Sequence, residues 1–328
     1  MRNAIVTGAL GVALMGLMGA ANGIELAWRE RAPLPQPVAG YMGGVLHGHL
    51  YIIGGSYWAG KQKRWTDRVQ VFDPAVDTWR PGPPLPQPES DAVGVSLDGA
   101  IYLFGGGEGD AIRRDALELR GDRWTPVPDA ELPAPRLYAN AAVEGGWVYL
   151  LGGLPNAHDY TSASTTFWRW RPGEKGWQSL PDLPGPGRIN FAMASVGGEI
   201  YVFGGATGAG ANGVRNLNDA YRYNPGTRRW QRLPDLPVAN RSWWAVGLGH
   251  SALLLAGYTN DYASAVYRFI PGEGARAEGR LPRGLADIKF FRIGDRVVGT
   301  GGEAGPGIRG HWTMEAPLPR GWTPGTER

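Results

Sequence analysis

Six times along the chain an apolar run ends at a glycine corner. The runs read LYIIGG, IYLFGG, VYLLGG, IYVFGG, LLLAG and VVGTGG, and the first corner residues are Gly54, Gly105, Gly152, Gly204, Ala256 and Gly301. Successive corners lie 51, 47, 52, 52 and 45 residues apart. Short apolar runs rich in β-branched and aromatic residues, bounded by turn formers, predict buried strands. Each is preceded by an LPxP-like linker, a strand of small and apolar residues such as YANAAVE or FAMASVG, and a Gly- or Asp-containing turn. Each of the first four is followed by a variable loop, a third strand such as VQVFDP, FWRWRP or AYRYNP, and a fourth that starts at Trp79, Trp124, Trp177 or Trp230. Small residues suit a crowded axis, paired glycines allow close approach, and an indole fills the widening space outside.

Composition agrees, since 52 Gly, 27 Pro and 14 Trp in 328 residues favour short strands joined by tight turns. A period near 50 with a second strand ending in Gly-Gly resembles the kelch repeat, a four-stranded blade of a β-propeller. The resemblance spans residues 24–328 and implies one all-β domain, a six-bladed kelch β-propeller. The fifth unit reads GEGARAEG where the fourth-strand Trp should stand, which predicts an irregular outer edge. In the sixth unit the first three strands fall at Leu285 to Phe291, Arg296 to Thr300 and His311 to Ala316. The fourth is expected from the N-terminal IELAWRERAPLP around Trp28, closing the ring without an open edge. Trp322, in the C-terminal tail, competes for that place.

Residues 1–23 carry Arg2, an apolar run from Ala4 to Ala20 and small residues up to Gly23, the layout of a secretory signal peptide. A periplasmic or secreted location is therefore expected, an uncleaved anchor helix being the alternative. The absence of cysteine excludes disulfides, thiolate metal sites and Cys nucleophiles. Net charge is +3 with mixed signs and no Lys/Arg run, so nothing points to nucleic acid.

In an up-and-down blade the first strand begins on the face where the second ends. Residues after each LP and after each glycine corner should therefore ring one mouth of the central channel. The first set holds Tyr41, Asp91, Arg136, Tyr138, Arg188, Asn190, Asn240, Arg241, Trp243, Asp287 and Lys289. The second holds Tyr57, Trp58, Glu108, Asp110, Asn156, His158, Tyr160, Tyr258, Asn260, Asp261, Glu303 and Arg309. Forked guanidinium donors, amides, acids and aromatic faces together suit a polyhydroxylated ligand carrying a carboxylate. Asp91, Arg188, Asn190, Arg241, Trp243 and Tyr258 are the substrate-binding candidates. Arg136 reads as a pairing residue at a blade junction, and Arg188 and Arg241 stay divided between that role and ligand contact. Trp243 and Trp244 are neighbours on a strand, so at most one faces the mouth. His47 and His49 belong to a turn on the far face, and no metal or cofactor is implied. No P-loop, G-x-S-x-G elbow or His-Glu-x-x-His helix occurs.

One loop departs from the repeat: GGEAGPGIR, residues 301–309. It resembles the Gly-Glu-Ala-x-Pro-Gly-x-Arg loop of the kelch-type N-acetylneuraminate epimerases, the sialic acid mutarotases, and of their cyclically permuted relatives. The resemblance implies Glu303 as acid/base and Arg309 as anion clamp in opening and reclosing a sugar ring. The expected partner is a small acidic sugar, not nucleic acid nor, after cleavage, a membrane; homodimerisation stays open. The competing expectation is a non-catalytic module that binds a glycan or a protein, with Glu303 and Arg309 pairing across their own turn.

Overall fold

The computed structural model describes residues 26–210 and 213–322; the predicted signal peptide lies outside them. Six four-stranded antiparallel sheets follow one another around an axis. Blade 1 comprises Met42–Leu46, His49–Ile53, Val69–Asp73 and Thr78–Pro81. Blade 2 comprises Val93–Leu97, Ala100–Phe104, Ala116–Arg120 and Arg123–Pro126, and blade 3 Asn140–Glu144, Trp147–Leu151, Phe167–Trp170 and Gln178–Leu180. Blade 4 comprises Ala192–Val196, Glu199–Gly208, Val214–Asn224 and Arg229–Leu233. In blade 5 the strands are Trp244–Gly247, Ala252–Leu255, Ala263–Ile270 and Gly274–Leu285. Blade 6 takes Lys289–Ile293, Arg296–Thr300 and Thr313–Pro317 from the C-terminal end and Arg29–Arg31 from the N-terminal end.

The closing strand is thus the one around Trp28, in register Arg29 opposite Glu315 and Arg31 opposite Thr313. Arg31 reaches sideways from it, pairing with Glu315 and with Asp77 of blade 1, and donating to the Pro74 carbonyl at 2.8 Å. Trp322 packs in the apolar layer between blades 5 and 6, under the Arg268 guanidinium, and forms no strand. The fifth unit keeps a long fourth strand, and the expected irregularity appears as register shifts beside Ala263 and Val266.

Second strands are continuously apolar because both faces are covered: Leu50, Ile52, Ile53, Val148, Leu150, Leu151 and Leu253 to Leu255 are all inaccessible. The outer seams are stapled by indoles. Trp79, Trp124, Trp177 and Trp230 donate Nε1–H to the carbonyls of Ala32, Pro83, Ala130 and Pro181, each in the linker entering the same blade, at 2.8, 2.9, 2.8 and 2.7 Å. An indole placed this way buries its ring while its one donor stays satisfied.

Candidate functional site

The mouth is organised by a six-membered backbone ring that composition does not reveal. Gly40, Asp91, Tyr138, Asn190, Ser242 and Asp287 all adopt positive φ, between 50° and 63°. Each stands fourteen positions before a glycine corner. Here the linker, arriving from the outside, bends sharply into the innermost strand. Gly, Asn and Asp tolerate the left-handed region at little cost; Tyr138 and Ser242 are held in it by their neighbours. Five amides then donate to the preceding blade's ring carbonyl: Asp91 to Gly40 at 2.7 Å, Tyr138 to Asp91 at 3.1 Å, Asn190 to Tyr138 at 3.4 Å, Ser242 to Asn190 at 2.8 Å, and Asp287 to Ser242 at 2.9 Å. The sixth amide, Gly40 N–H, donates instead to the Asp287 carboxylate at 2.7 Å. The seam where chain ends meet is therefore closed at the axis by a side chain.

Residues after the glycine corners bridge to the residue just before each ring position, giving the pairs Ala39 with Ser56, Arg241 with Tyr258 and Ala286 with Glu303 among others. The six equivalent residues are Ser56, Gly107, Leu154, Ala206, Tyr258 and Glu303. Glu303 is the one acid of that set, and it is fixed by two backbone bonds to Ala286, at 2.7 and 2.9 Å. From there Glu303–Gly305 turns back through Pro306 and Gly307 to Ile308–Arg309, a two-stranded hairpin in which Glu303 faces Arg309. Their side chains form an ion pair, and Arg309 also donates to Ser56 Oγ at 3.4 Å. A second hairpin, Ser56–Ala59 with Gln62–Trp65, stands beside it and brings Lys63 to the mouth.

Between these hairpins and the ring lies a cavity of about 190 Å³ lined by Gly40, Ser56, Lys63, Asp91, Tyr138, Asn190, Ser242, Asp287, Glu303 and Arg309. Below it, sharing five ring residues, a narrower cavity of about 50 Å³ continues along the axis to Trp244 and Lys289. Three cationic side chains and three carboxyls converge here. Burial, with the charge of Asp287 second, pushes the Asp91 carboxyl up to about 6, against the Ser90 hydroxyl bond and the charges of Lys63 and Lys289. Burial lowers the Lys289 ammonium, which Asp287 and Asp91 partly restore. The Tyr138 phenol is raised above its ordinary value, first by the charge of Asp91. A carboxyl close to neutrality beside a charged carboxylate and a weakened ammonium can hold or release a proton near pH 6. Among the described residues no group of three or more His, Cys, Asp or Glu is arranged to hold a metal ion.

Of the sequence candidates, Glu303, Arg309, Asp91 and Asn190 line the mouth. Four others lie elsewhere. Arg188 is fully buried between blades, forked onto Asp219 at 2.9 and 3.0 Å and donating to the Gly204 carbonyl. The division between pairing and ligand contact is settled for it by that bidentate bond, and Arg136, over Trp168 and bonded to Thr166, is a pairing residue too. Trp243 is buried in the core between blades 4 and 5, donating to the Phe203 carbonyl at 3.1 Å; it and the more exposed Trp244 both border the narrower axial cavity, and neither lines the mouth. Arg241 is held by Asn216 at 2.6 Å and lies over the Tyr258 ring at 4.4 Å, a stack outside the cavity lining. His47 does occupy the turn between first and second strands.

Lys63, Ser56, Ser242 and Trp244 are additions. The constant fourteen-residue offset could have revealed Ser242, and strand alternation then Trp244. Lys63 carries no periodic signal.

The comparisons with known proteins agree with this architecture. A model described as the Kelch motif matches residues 40–86 and 187–237. The chain is 27% identical over 234 residues to Kelch-like protein terF of Aspergillus terreus, covering 66% of this chain and 49% of that protein. It is 34% identical over 156 residues to mouse Kelch-like protein 35, covering 48% and 25%, and 27% identical over 244 residues to human Kelch-like protein 34, covering 70% and 36%. The matched stretch thus spans at most half the length of these relatives. The solved structure of YjhT superposes with a TM-score of 0.68 over 86% of this chain and 95% of its own at 16% identity, a likeness of fold. The chain is a six-bladed β-propeller that carries Kelch motifs.

Proposed function

We propose that the protein is an exported sugar mutarotase acting on a small acidic sugar, sialic acid or a related one, at the Glu303–Arg309 mouth. The observation that carries this reading is the placement of the hairpin: its acid and its guanidinium close over a cavity floored by Asp91, Asp287 and Lys289. The cavity is smaller than the ~300–1,000 Å³ of drug-sized ligand pockets, which favours one sugar ring over a chain. Mutarotation removes a proton from the anomeric hydroxyl, delivers one to the ring oxygen, and reverses both after rotation about the exposed carbonyl carbon. No net proton or electron is consumed. Glu303 accepts the anomeric hydroxyl proton and its carboxyl delivers it to the ring oxygen, the reverse transfers reclosing the ring, while Arg309, released from the pair as substrate enters, takes the substrate carboxylate.

The test is NMR exchange between the anomers of N-acetylneuraminate and of neutral aldoses, for wild type and Glu303→Gln. Wild type should accelerate exchange and the variant should lose most of it; wild type no faster than buffer on every sugar would overturn the reading. A second reading, a binding module without turnover, is favoured by the way Glu303 and Arg309 already satisfy each other. It predicts saturable sugar binding that Glu303→Gln leaves nearly unchanged.

A further inference from the structure

An indole stands at the outer seam of every blade but one, and four of the five are stapled to a linker carbonyl. Across the third and fourth strands the pairs are Phe72 with Trp79, Leu119 with Trp124, and Tyr223 with Trp230. In blade 5 the same position pairs Phe269 with Ala275. In the closing blade Trp28 precedes the strand and packs edge-on against Phe290 at 5.8 Å. The seam between blades 4 and 5 is therefore missing its indole.

What stands there is an open slot of about 470 Å³, lined by Tyr201, Leu233, Pro234, Leu236, Phe269 and Ala275 among others. Its walls are those of a filled seam. Between blades 2 and 3, Tyr102 and Phe104 pack on Trp170 at 5.3 and 5.6 Å, and the Trp177 indole lies 5.0 Å from Phe104. Between blades 4 and 5, Tyr201 and Phe203 pack on Phe269 at 5.1 and 4.9 Å, with Ala275 in the place of Trp177. The linkers match as well: Ala130-Glu131-Leu132-Pro133 faces Trp177, and Pro234-Asp235-Leu236-Pro237 lines the slot. Pro234 is the counterpart of the residues whose carbonyls receive the four indole N–H groups.

We propose that this slot is a binding site for one planar aromatic ring bearing an N–H donor, of the indole class. Four seams of the same molecule supply the template: in three of them the ring lies against an aromatic of the third strand or of the preceding blade, and in all four its N–H meets the linker carbonyl at 2.7–2.9 Å. Phe269 and Tyr201 are preformed around it and Leu233 and Leu236 cover its edges, so a ligand ring enters a site already shaped. This site lies on the outer rim and is independent of the mouth.

The probe is 5-fluoroindole, followed by fluorine NMR against the whole protein. Saturable line broadening with one site per chain is expected, and N-methylindole, which lacks the donor, should compete at least tenfold less well than indole. Ala275→Trp should abolish the effect and raise Tm by about 2–4 °C by completing the seam. Should that variant fail to fold, Trp230→Ala gives the converse reading: an opened equivalent seam and a second site per chain. The proposal falls if 5-fluoroindole is unperturbed up to its solubility, if N-methylindole competes equally with indole, or if filling position 275 leaves binding intact.

Discussion

Two arginine–carboxylate pairs divide the molecule between them. Arg188 and Asp219 meet in the seam between blades, the arginine side chain wholly inaccessible and the fork doubly bonded. Arg309 and Glu303 meet on a hairpin over the mouth, where 9% and 28% of their side chains remain exposed and where Asp91 and Asp287 compete for the same cation. The two pairs share their chemistry and differ in what surrounds them. A pair whose hydrogen bonds run into the backbone of one seam has no partner to exchange, so it fixes blade geometry. A pair set among other acids and bases at an opening can exchange its partner for a ligand.

The largest effect is expected from Arg188→Ala, which leaves the mostly buried Asp219 without its partner. Removing one member of a buried pair costs about 3–5 kcal/mol. Urea denaturation should show that loss in the midpoint; a loss below about 1 kcal/mol would place Arg188 with the mouth residues. Arg188→Lys should recover only part, since an ammonium cannot fork onto both oxygens.

Glu303→Gln is the counterpart and should invert the pattern. The pair is partly solvated and its hairpin is held by backbone bonds to Ala286, so stability should move by less than about 1 kcal/mol. Anomer exchange should fall by roughly 100-fold or more if Glu303 transfers the proton. Equal damage to stability and exchange would return the residue to a structural role.

How much of this contrast was legible in sequence depends on periodicity. The blades and their order follow from the glycine corners, because the repeat states the same packing problem six times, whereas the closing strand stayed open between Trp28 and Trp322 until the register with Thr313–Pro317 decided it. The hairpin at Glu303 stood out because it breaks the repeat. Arg188 and Arg241 could not be separated, since both follow an LPxP-like linker, and only the position of Asp219 on the third strand of blade 4 decides that Arg188 is satisfied internally. Trp243 and Trp244 likewise differ by one strand position, and the positive φ at Ser242 determines which of them turns outward into the seam. Lys63 arrives from a hairpin whose register has no counterpart in the other units.

A third test concerns the charge of the mouth. The Asp91 carboxyl is held near 6 in the folded chain against roughly 3.9 unfolded, so between those values the folded state binds the extra proton. From this group, stability is highest below pH 4, declines as pH rises towards 6, and is lowest above. Asp91→Asn should remove the decline, gaining up to about 3 kcal/mol on wild type at pH 7 and next to nothing at pH 4. Denaturation midpoints across pH 4–7 read this directly; a gain that is flat with pH, or larger in acid, contradicts the placement of Asp91 beside Asp287.

The smallest effect is expected at Arg241, which sits between the two classes. Its guanidinium is committed to Asn216 at 2.6 Å and to the Tyr258 face at 4.4 Å, yet it stays partly exposed on the rim. Loss of an exposed cation–π contact costs about 0.5–1 kcal/mol, so Arg241→Gln, which can still bond Asn216, should lower stability by no more than that. Because the stack lies outside the cavity lining, the sugar concentration giving half-maximal exchange should shift less than about threefold, a difference under 1 kcal/mol. A shift of tenfold or more with unchanged stability would mean that substrate binding pulls Arg241 off Tyr258 and into the mouth, making the rim stack a second exchangeable pair like Glu303 and Arg309.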